Sequence, residues 1–269
     1  MSDTLAFCNA AGVFTAYRKS GSGPAMLLLH GNPDTGALWE GVAPRLSQRF
    51  TCLVPDLPGF GKSEAPPSFT ATLPEMAVFV EAFLNAAGAE GPVHLAVHDF
   101  GGPYGLSWAC EHPERVATIT CINTVFHASY HWHFWARVWR TPLLGELAMK
   151  ATSFPLFFLE LKRGSRKLSR QAIRRMYDNF TPATRRMVLT HYRATDPWTF
   201  SGSELRFAEL ARKVPVQVLW GEHDPYIPKE YAGRFGARKI VFFPDCGHFL
   251  PSEAPEEVAR EVESFARSL

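Results

Sequence analysis

Short runs of apolar residues recur along the chain, and stretches with the spacing of amphipathic helices separate them. Continuous apolar runs of this length are typical of strands buried on both faces of a parallel sheet. Their alternation with helices indicates βαβ units, so the pattern predicts an α/β protein with a mostly parallel sheet. The runs cover residues 26–29, 51–54, 93–97, 116–122, 216–220 and 239–243.

Three further segments extend this outline. Residues 13–17 are predicted to form an antiparallel strand at an edge of the sheet. Residues 72–75 (Thr-Leu-Pro-Glu) have the spacing of a capping box, which predicts a helix that continues to Ala87 and stops at Gly88. Residues 254–269 have an amphipathic pattern, so we expect a last helix that packs on the sheet.

The alternation is interrupted between residues 126 and 205, where no strand-like run occurs and aromatic residues are frequent. This stretch carries 13 Lys and Arg residues against 5 Asp and Glu residues. We interpret it as a helical cap inserted between two parts of a core domain, residues 1–125 and 206–269. A solvated helical surface explains its arginines better than an anion site does.

The composition limits the classes of partner. The net charge of the 269 residues is +2 and 46% of them are hydrophobic, which indicates neither a nucleic acid nor a membrane as partner. No apolar window approaches the length of a transmembrane helix, and the first residues lack the pattern of a signal peptide. Five scattered cysteines are expected to be reduced thiols of a cytoplasmic protein. No cluster with ligand spacing predicts a metal or cofactor, and the oligomeric state is left open.

Asp99 is the first candidate for chemistry, because it directly follows the apolar run 93–97. Open α/β sheets bind their ligands at the carboxyl ends of the strands, and the helix beginning at Gly101 would point its amides towards the acid. Gly101 is small enough for a sharp turn between strand and helix, whereas Val97 is larger than the glycine usual at its position. Taken alone, Asp99 could equally be the N-cap of that helix.

Asp224 and His248 follow the last two predicted strands in the same way. Because the carboxyl ends of parallel strands meet at one edge of a sheet, Asp99, Asp224 and His248 are expected to lie together. Their order along the chain is nucleophile, acid and histidine. We therefore favour a catalytic role for Asp99 over a capping role.

Four segments carry a resemblance to a known family: His30-Gly31-Asn32-Pro33, His98-Asp99-Phe100-Gly101-Gly102, Gly221-Glu222-His223-Asp224 and Cys246-Gly247-His248. With them the sequence resembles the α/β-hydrolase superfamily over essentially its whole length. It is most similar to the branch with an aspartate nucleophile, the epoxide hydrolases and haloalkane dehalogenases. The resemblance implies a mostly parallel eight-stranded sheet with flanking helices and an inserted helical cap. It also implies an oxyanion site formed by the amides of Asn32 and Phe100.

An aspartate nucleophile implies a particular chemistry. A carboxylate is anionic at neutral pH and can displace a leaving group from saturated carbon, which would leave an alkyl ester on Asp99. His248, oriented by Asp224, would then activate a water molecule that hydrolyses the ester. The expected partners are a small apolar electrophile and water.

The leaving group separates the alternatives. An epoxide oxygen needs an acid, and the resemblance to epoxide hydrolases assigns that role to two cap tyrosines, Tyr130 and Tyr192. A halide needs N–H donors, of which Asn32 matches one, but the side chain of Phe100 has none.

The cap tryptophans Trp132 and Trp135 are expected to contact the substrate and could supply an N–H donor. We predict an epoxide hydrolase that converts small apolar epoxides to diols. The alternatives are a haloalkane dehalogenase, an enzyme that opens strained rings such as β-lactones, and a non-catalytic receptor with the same fold.

Overall fold

The computed structural model describes residues 4–268 and contains one eight-stranded sheet. The strands are β1 (Thr4–Ala10), β2 (Val13–Ser20), β3 (Ala25–Leu29), β4 (Thr51–Pro55), β5 (Val93–His98), β6 (Val116–Ile122), β7 (Val216–Gly221) and β8 (Lys239–Phe243). Their order in the sheet is β1-β2-β4-β3-β5-β6-β7-β8. The β1–β2 and β2–β4 pairs are antiparallel and the other pairs are parallel, so the predicted fold class is confirmed.

Helices occupy most of the remaining chain. They are α1 (Ala43–Leu46), α2 (Leu73–Ala86), α3 (Gly101–Glu111), α4 (Phe134–Arg140), α5 (Leu144–Ala151), α6 (Phe154–Gly164), α7 (Arg170–Asp178), α8 (Pro182–Ala194), α9 (Ser203–Lys213), α10 (Leu250–Glu253) and α11 (Pro255–Arg267). The last helix agrees with the amphipathic pattern, and its buried face includes Val258 and Val262. Residues 1–3 and 269, which the predicted core domain includes, lie outside the described residues.

The core follows from the composition of the central strands. In β3, β5, β6 and β7, side chains that point to both faces are buried, which is why these strands are continuous apolar runs. Helix α3 contacts all of β3, β5 and β6, so the segment after β5 is held over the middle of the sheet.

The expectation that residues 13–17 form an edge strand is wrong. Strand β2 pairs with β4 on one side and with β1 on the other, so β1 is the edge. Most side chains of β1 are exposed or half-buried, and its short apolar run, residues 5–8, is followed by a tight turn into β2 and not by a helix, so it does not belong to the βα alternation. Its exposed Phe7 stacks on Phe14 of β2, with ring centroids 5.2 Å apart, which covers part of this edge.

Helix α2 begins where the capping pattern predicts, but by a different device. Within the described chain, the Thr72 side chain makes no capping hydrogen bond. Instead, one carboxylate oxygen of Glu75 accepts hydrogen bonds from the amides of Thr70 and Ala71 at 2.8 and 2.9 Å. The end of the helix agrees with the prediction, because Gly88 has a positive φ of 77° that favours glycine.

The chain between β6 and β7 forms helices α4 to α9 and, within residues 4–268, no strand. Helices α4, α5 and α8 pack on one another, and α6 packs on α7. The predicted cap boundary at residue 205 falls inside α9, which packs on α3 of the core. The division into core and cap stays a prediction. None of the helices in the described part of the chain is long and apolar enough to cross a membrane.

Replacing Glu75 with Ala should lower the free energy of unfolding by about 1 kcal/mol, because the amides of Thr70 and Ala71, just before α2, lose their acceptor. Replacing Thr72 with Ala should change it by no more than a few tenths of a kcal/mol, since that side chain caps nothing. Urea denaturation of both variants measures this difference. A larger loss for Thr72→Ala would show that the predicted capping box forms in solution.

Candidate active site

The turn that carries Asp99 has an unusual backbone. Asp99 lies between β5 and α3 with a φ of 48°, in the left-handed region that non-glycine residues rarely adopt. Its carbonyl oxygen accepts hydrogen bonds from the Thr124 hydroxyl at 2.6 Å and from the Gly102 amide at 2.9 Å. These contacts hold the strained turn, which directs the Asp99 side chain into a cavity.

Two glycines allow this turn to approach its neighbours. A Cβ atom on Gly101 would lie 2.6 Å from the carbonyl oxygen of His30, so only glycine lets α3 begin against the end of β3. A Cβ atom on Gly31 would lie 2.2 Å from a carboxylate oxygen of Asp99. The larger side chain of Val97 fits because Gly105 of α3 has no Cβ atom. A Cβ atom on Gly105 would lie 2.7 Å from Cγ1 of Val97.

The Asp99 carboxylate faces two backbone amides and an imidazole. Its Oδ1 accepts a hydrogen bond from the Asn32 amide at 2.6 Å, and its Oδ2 lies 3.6 Å from Nε2 of His248. Burial raises the pKa of Asp99, but the nearby charge of His248 and the amide of Phe100 outweigh it and lower the pKa overall. The carboxylate is therefore ionised, and both amides of the predicted oxyanion site point at it.

His248 lies between two carboxylates. Its Nδ1 is 2.8 Å from Oδ2 of Asp224, on the side opposite Asp99. The amides of Tyr226 and Ile227 donate to the other oxygen of Asp224 at 2.8 and 3.1 Å. Burial lowers the pKa of His248, but the charge of Asp224, the hydrogen bond to it and the nearby Asp99 carboxylate raise it overall to about 10. The structure thus brings Asp99, Asp224 and His248 together as the sequence predicts, with the imidazole charged.

Asn123 supports this arrangement through its side chain, a role that the sequence did not assign to it. Its side-chain amide donates to Oδ2 of Asp224 at 2.9 Å, and its side-chain oxygen accepts the Gly221 amide at 2.9 Å. Asn123 follows β6 and also has a positive φ, 39°. Its position directly after β6, which pairs with the strand that Asp99 follows, is the signal that could have revealed this role.

His98 lies beneath the turn. Its side chain is buried, and its Nε2 donates to the carbonyl oxygen of His248 at 2.8 Å. Burial and the neighbouring charge of His248 lower its pKa to about 4, so the ring is neutral. The last residue of β5 therefore fixes the backbone of the histidine loop.

The four aromatic cap residues named as candidates differ in where their polar atoms point. The hydroxyl of Tyr130 donates to the carbonyl oxygen of Tyr226 at 3.0 Å, and the indole of Trp135 donates to Glu160 at 3.1 Å. The Trp132 ring stacks on Phe100 with centroids 5.9 Å apart. Its buried indole N–H has no hydrogen-bond partner among residues 4–268.

Tyr192 has a partner that sequence reasoning missed, His133. The Nε2 of His133 lies 3.3 Å from the Tyr192 hydroxyl, and its Nδ1 accepts the Ala136 amide at the start of α4 at 3.3 Å. Burial lowers the pKa of His133 to about 4, which keeps the ring neutral. Because Nδ1 is an acceptor, the single ring proton is on Nε2 and is donated to the Tyr192 oxygen. The hydroxyl proton of Tyr192 is then free for another acceptor.

One cavity of about 920 Å³ lies between the carboxyl ends of the strands and helices α4, α5, α6 and α8. Asp99, His248, His133 and the four aromatic candidates Tyr130, Trp132, Trp135 and Tyr192 line it. Its surface is largely apolar, and Asp99, Asn32 and His248 are among the polar residues in it. Within the part of the chain that the structure describes, no group of three or more His, Cys, Asp or Glu residues could hold a metal ion.

The sheet order, the left-handed turn after β5 and the cavity above it define an α/β hydrolase. A family model described as the alpha/beta hydrolase fold matches residues 24–255, and the protein belongs to this family.

Comparison with known proteins gives two groups of relatives over nearly the whole chain. The cis-3-alkyl-4-alkyloxetan-2-one decarboxylase of Xanthomonas campestris is 27% identical and aligns with 94% of this chain and 92% of its own length. Haloalkane dehalogenase 2 of Mycobacterium tuberculosis is 28% identical, with coverages of 91% and 89%.

Solved structures support the fold. A mutant form of a provisionally assigned epoxide hydrolase from Pseudomonas aeruginosa superposes with a TM-score of 0.82 at 24% identity. The match covers 99% of this chain and 96% of that protein. At this identity the likeness concerns the fold alone.

Replacing Asp99 with Asn should lower the pKa of His248 by about one pH unit or more, because one of its two carboxylate partners is lost. Replacing Asp224 with Asn should lower it further, since Asp224 makes the larger contribution. An NMR titration of the imidazole measures both values without any substrate. Glu256→Gln, at an exposed carboxylate that pairs with Arg45, is the control and should leave the titration unchanged. Equal titrations in all four proteins would contradict the assigned geometry.

Proposed function

We propose that the protein hydrolyses apolar epoxides through a covalent alkyl ester on Asp99. The observation that carries this proposal is the Tyr192 hydroxyl in the cavity wall, whose oxygen accepts the Nε2 proton of neutral His133 and whose own proton is free. An epoxide oxygen must gain a proton as the ring opens, and a halide does not. A tyrosine prepared as a donor therefore favours an oxygen leaving group.

In the first step, ionised Asp99 attacks one ring carbon, and the bond from that carbon to the ring oxygen breaks. The electron pair of this bond goes to the oxygen, which takes the hydroxyl proton of Tyr192. Esterification removes the negative charge of Asp99, so the pKa of His248 falls and its imidazolium releases a proton. That proton restores the Tyr192 hydroxyl.

In the second step, neutral His248 takes a proton from water, and the hydroxide adds to the ester carbonyl. The amides of Asn32 and Phe100, which point at the Asp99 carboxylate, would stabilise the resulting oxyanion. Collapse of this intermediate releases the diol, whose new oxygen takes the carboxyl proton of Asp99. The cycle returns Asp99 as a carboxylate and His248 as an imidazolium, so atoms and charges balance.

Tyr130 is not part of this proposal. Its proton is donated to the Tyr226 carbonyl, so it has none to give to a ring oxygen. The proposed ring-opening pair is therefore Tyr192 as the acid and His133 as the residue that positions it. Trp132, which packs against both Phe100 and Tyr192, would contact the substrate.

Dehalogenation is the second candidate, and a separate observation favours it. The side-chain amide of Asn32 and the indole of Trp132 both line the cavity, and neither N–H has a hydrogen-bond partner within residues 4–268. Two such donors could bind a halide ion. The relative named as a haloalkane dehalogenase is consistent with this candidate, and the relative named as an oxetanone decarboxylase is consistent with opening of a strained lactone.

Two conservative substitutions distinguish these candidates. Tyr192→Phe should reduce turnover of apolar epoxides by about 100-fold or more, because the leaving oxygen loses its acid. It should leave release of bromide from bromoalkanes unchanged. Trp132→Phe should have little effect on epoxides, since it keeps an aromatic ring at the site. Diol and bromide assays of both variants against wild type measure the four rates. Loss of bromide release in Trp132→Phe, together with full epoxide turnover in Tyr192→Phe, would favour the dehalogenase.

The covalent step has its own test. His248→Ala should form the ester but not hydrolyse it, because no base remains to activate water. Mass spectrometry after exposure to an epoxide should find the whole mass of the epoxide added to the peptide that contains Asp99. After exposure to a bromoalkane, the addition would lack the bromine. Absence of any adduct, with ligand binding intact, would favour the non-catalytic receptor.

A further inference from the structure

A group of large apolar side chains is exposed on three cap helices around the opening of the cavity. They are Phe134 of α4, Leu144 and Leu147 of α5, and Leu156 and Leu159 of α6, and their exposed fractions lie between 49% and 65%. All five also line the cavity, so the cavity opens between them. We call these residues, together with Leu143, the mouth patch. Exposed apolar residues grouped in this way mark a surface that binds something.

Leu143 is the most exposed member of the mouth patch, at 78%, and it does not line the cavity. It lies between α4 and α5 with a φ of 66° and a ψ of −45°, at the centre of a γ-turn closed by the Leu144 amide and the Pro142 carbonyl oxygen at 2.8 Å. This turn is rare and strained. A leucine here is unfavourable in the backbone and has its side chain in water. Packing within the chain does not account for it, which points to a contact outside the chain.

Basic residues flank the mouth patch. The segment 126–205 has 13 Lys and Arg residues against 5 Asp and Glu residues, whereas the net charge of the whole chain is only +2. On the same helices as the patch, Arg137 of α4 and Lys150 of α5 are exposed. Neither forms an ion pair with any residue between 4 and 268. An apolar surface flanked by unpaired cations matches an anionic lipid surface.

We propose that the mouth patch docks on an anionic lipid surface and that the cavity takes an alkyl-chain electrophile from it. A protein or a second copy on this patch would close the cavity, whereas a lipid surface would cover the leucines and leave the opening continuous with an apolar phase. The cavity, about 920 Å³, is near the upper end of the range of about 300 to 1,000 Å³ for ligand pockets and has room for a long chain.

This proposal departs from the expectation of no membrane partner, which was drawn from the charge of the whole chain. Docking does not depend on the proposed function, but the choice of an alkyl-chain epoxide as substrate rests on it. The two parts are therefore measured separately, by vesicle binding and by turnover.

Vesicle binding tests docking directly. The full-length protein should co-sediment with vesicles of phosphatidylglycerol and phosphatidylcholine, and less with phosphatidylcholine alone or at high salt. Leu143→Asp should weaken binding about tenfold or more, because a charged side chain replaces the most exposed leucine of the patch, and an unchanged melting temperature would show that the fold is intact. Val78→Asp on α2, at a side chain 57% exposed on the core, is the matched control and should bind like wild type. Equal binding by wild type and Leu143→Asp would overturn the proposal.

The basic flank is tested by charge reversal. Arg137→Glu combined with Lys150→Glu should weaken binding to anionic vesicles by about 30-fold or more, since each basic residue near the surface contributes about fivefold. Arg212→Glu combined with Lys213→Glu, at exposed positions of α9, should change it much less. If the two double variants lose binding equally, the attraction is unspecific and the patch has no docking role.

Turnover separates the two proposals. Leu143→Asp should hydrolyse a short water-soluble epoxide like wild type and a long-chain epoxide embedded in anionic vesicles at least about tenfold more slowly. Normal turnover of the soluble epoxide without any vesicle binding would overturn docking alone. Vesicle binding without turnover of either epoxide would overturn the proposed function and leave docking intact. Light scattering that shows a dimer in wild type and a monomer in Leu143→Asp would assign the patch to a second copy.

Discussion

The close approach of α3 to the end of β3 is the constraint on which the site depends. A Cβ atom on Gly101 would lie 2.6 Å from the carbonyl oxygen of His30, so the helix can begin here only because glycine has none. Asp99 is left in the left-handed turn between β5 and α3. The same geometry points the carboxylate at the Asn32 amide and towards His248. The glycine of the turn and the strain at Asp99 are therefore two parts of one arrangement, in which packing of the sheet and helix supports an unfavourable backbone.

The charge balance around His248 follows from that arrangement. Two buried carboxylates, Asp99 and Asp224, hold the imidazole as a cation although burial alone would favour its neutral form. In the proposed mechanism this balance changes during the cycle, because an ester on Asp99 has no charge. The histidine would then be an acid while the ester forms and a base while it is hydrolysed. Asn123 and His98 matter to this balance because one holds the Asp224 side chain and the other holds the backbone of His248.

The expectations that failed have a common physical cause. Strand β1 was missed, and β2 was taken for the edge, because the short apolar run of β1 is followed by a hairpin turn and not by a helix. The capping box at Thr72 was misassigned because Glu75 reaches amides further back in the chain. Tyr130 and Tyr192 look alike in sequence, but only the structure shows that one hydroxyl is bound to a backbone carbonyl while the other is next to His133. Each outcome depends on which acceptor lies within reach, and short segments do not contain that information.

The sequence by itself determined the parallel core, the position of Asp99, Asp224 and His248 after strands β5, β7 and β8, and the family. These follow from local patterns, since burial on both faces demands apolar runs and a parallel sheet brings its carboxyl ends to one edge. Only the tertiary structure decided which cap side chains face the cavity, the role of His133 as the partner of Tyr192, and the exposure of leucines around the opening. The cap has no repeating geometry that relates sequence position to direction, so its contacts arise from how helices α4 to α8 pack over the sheet.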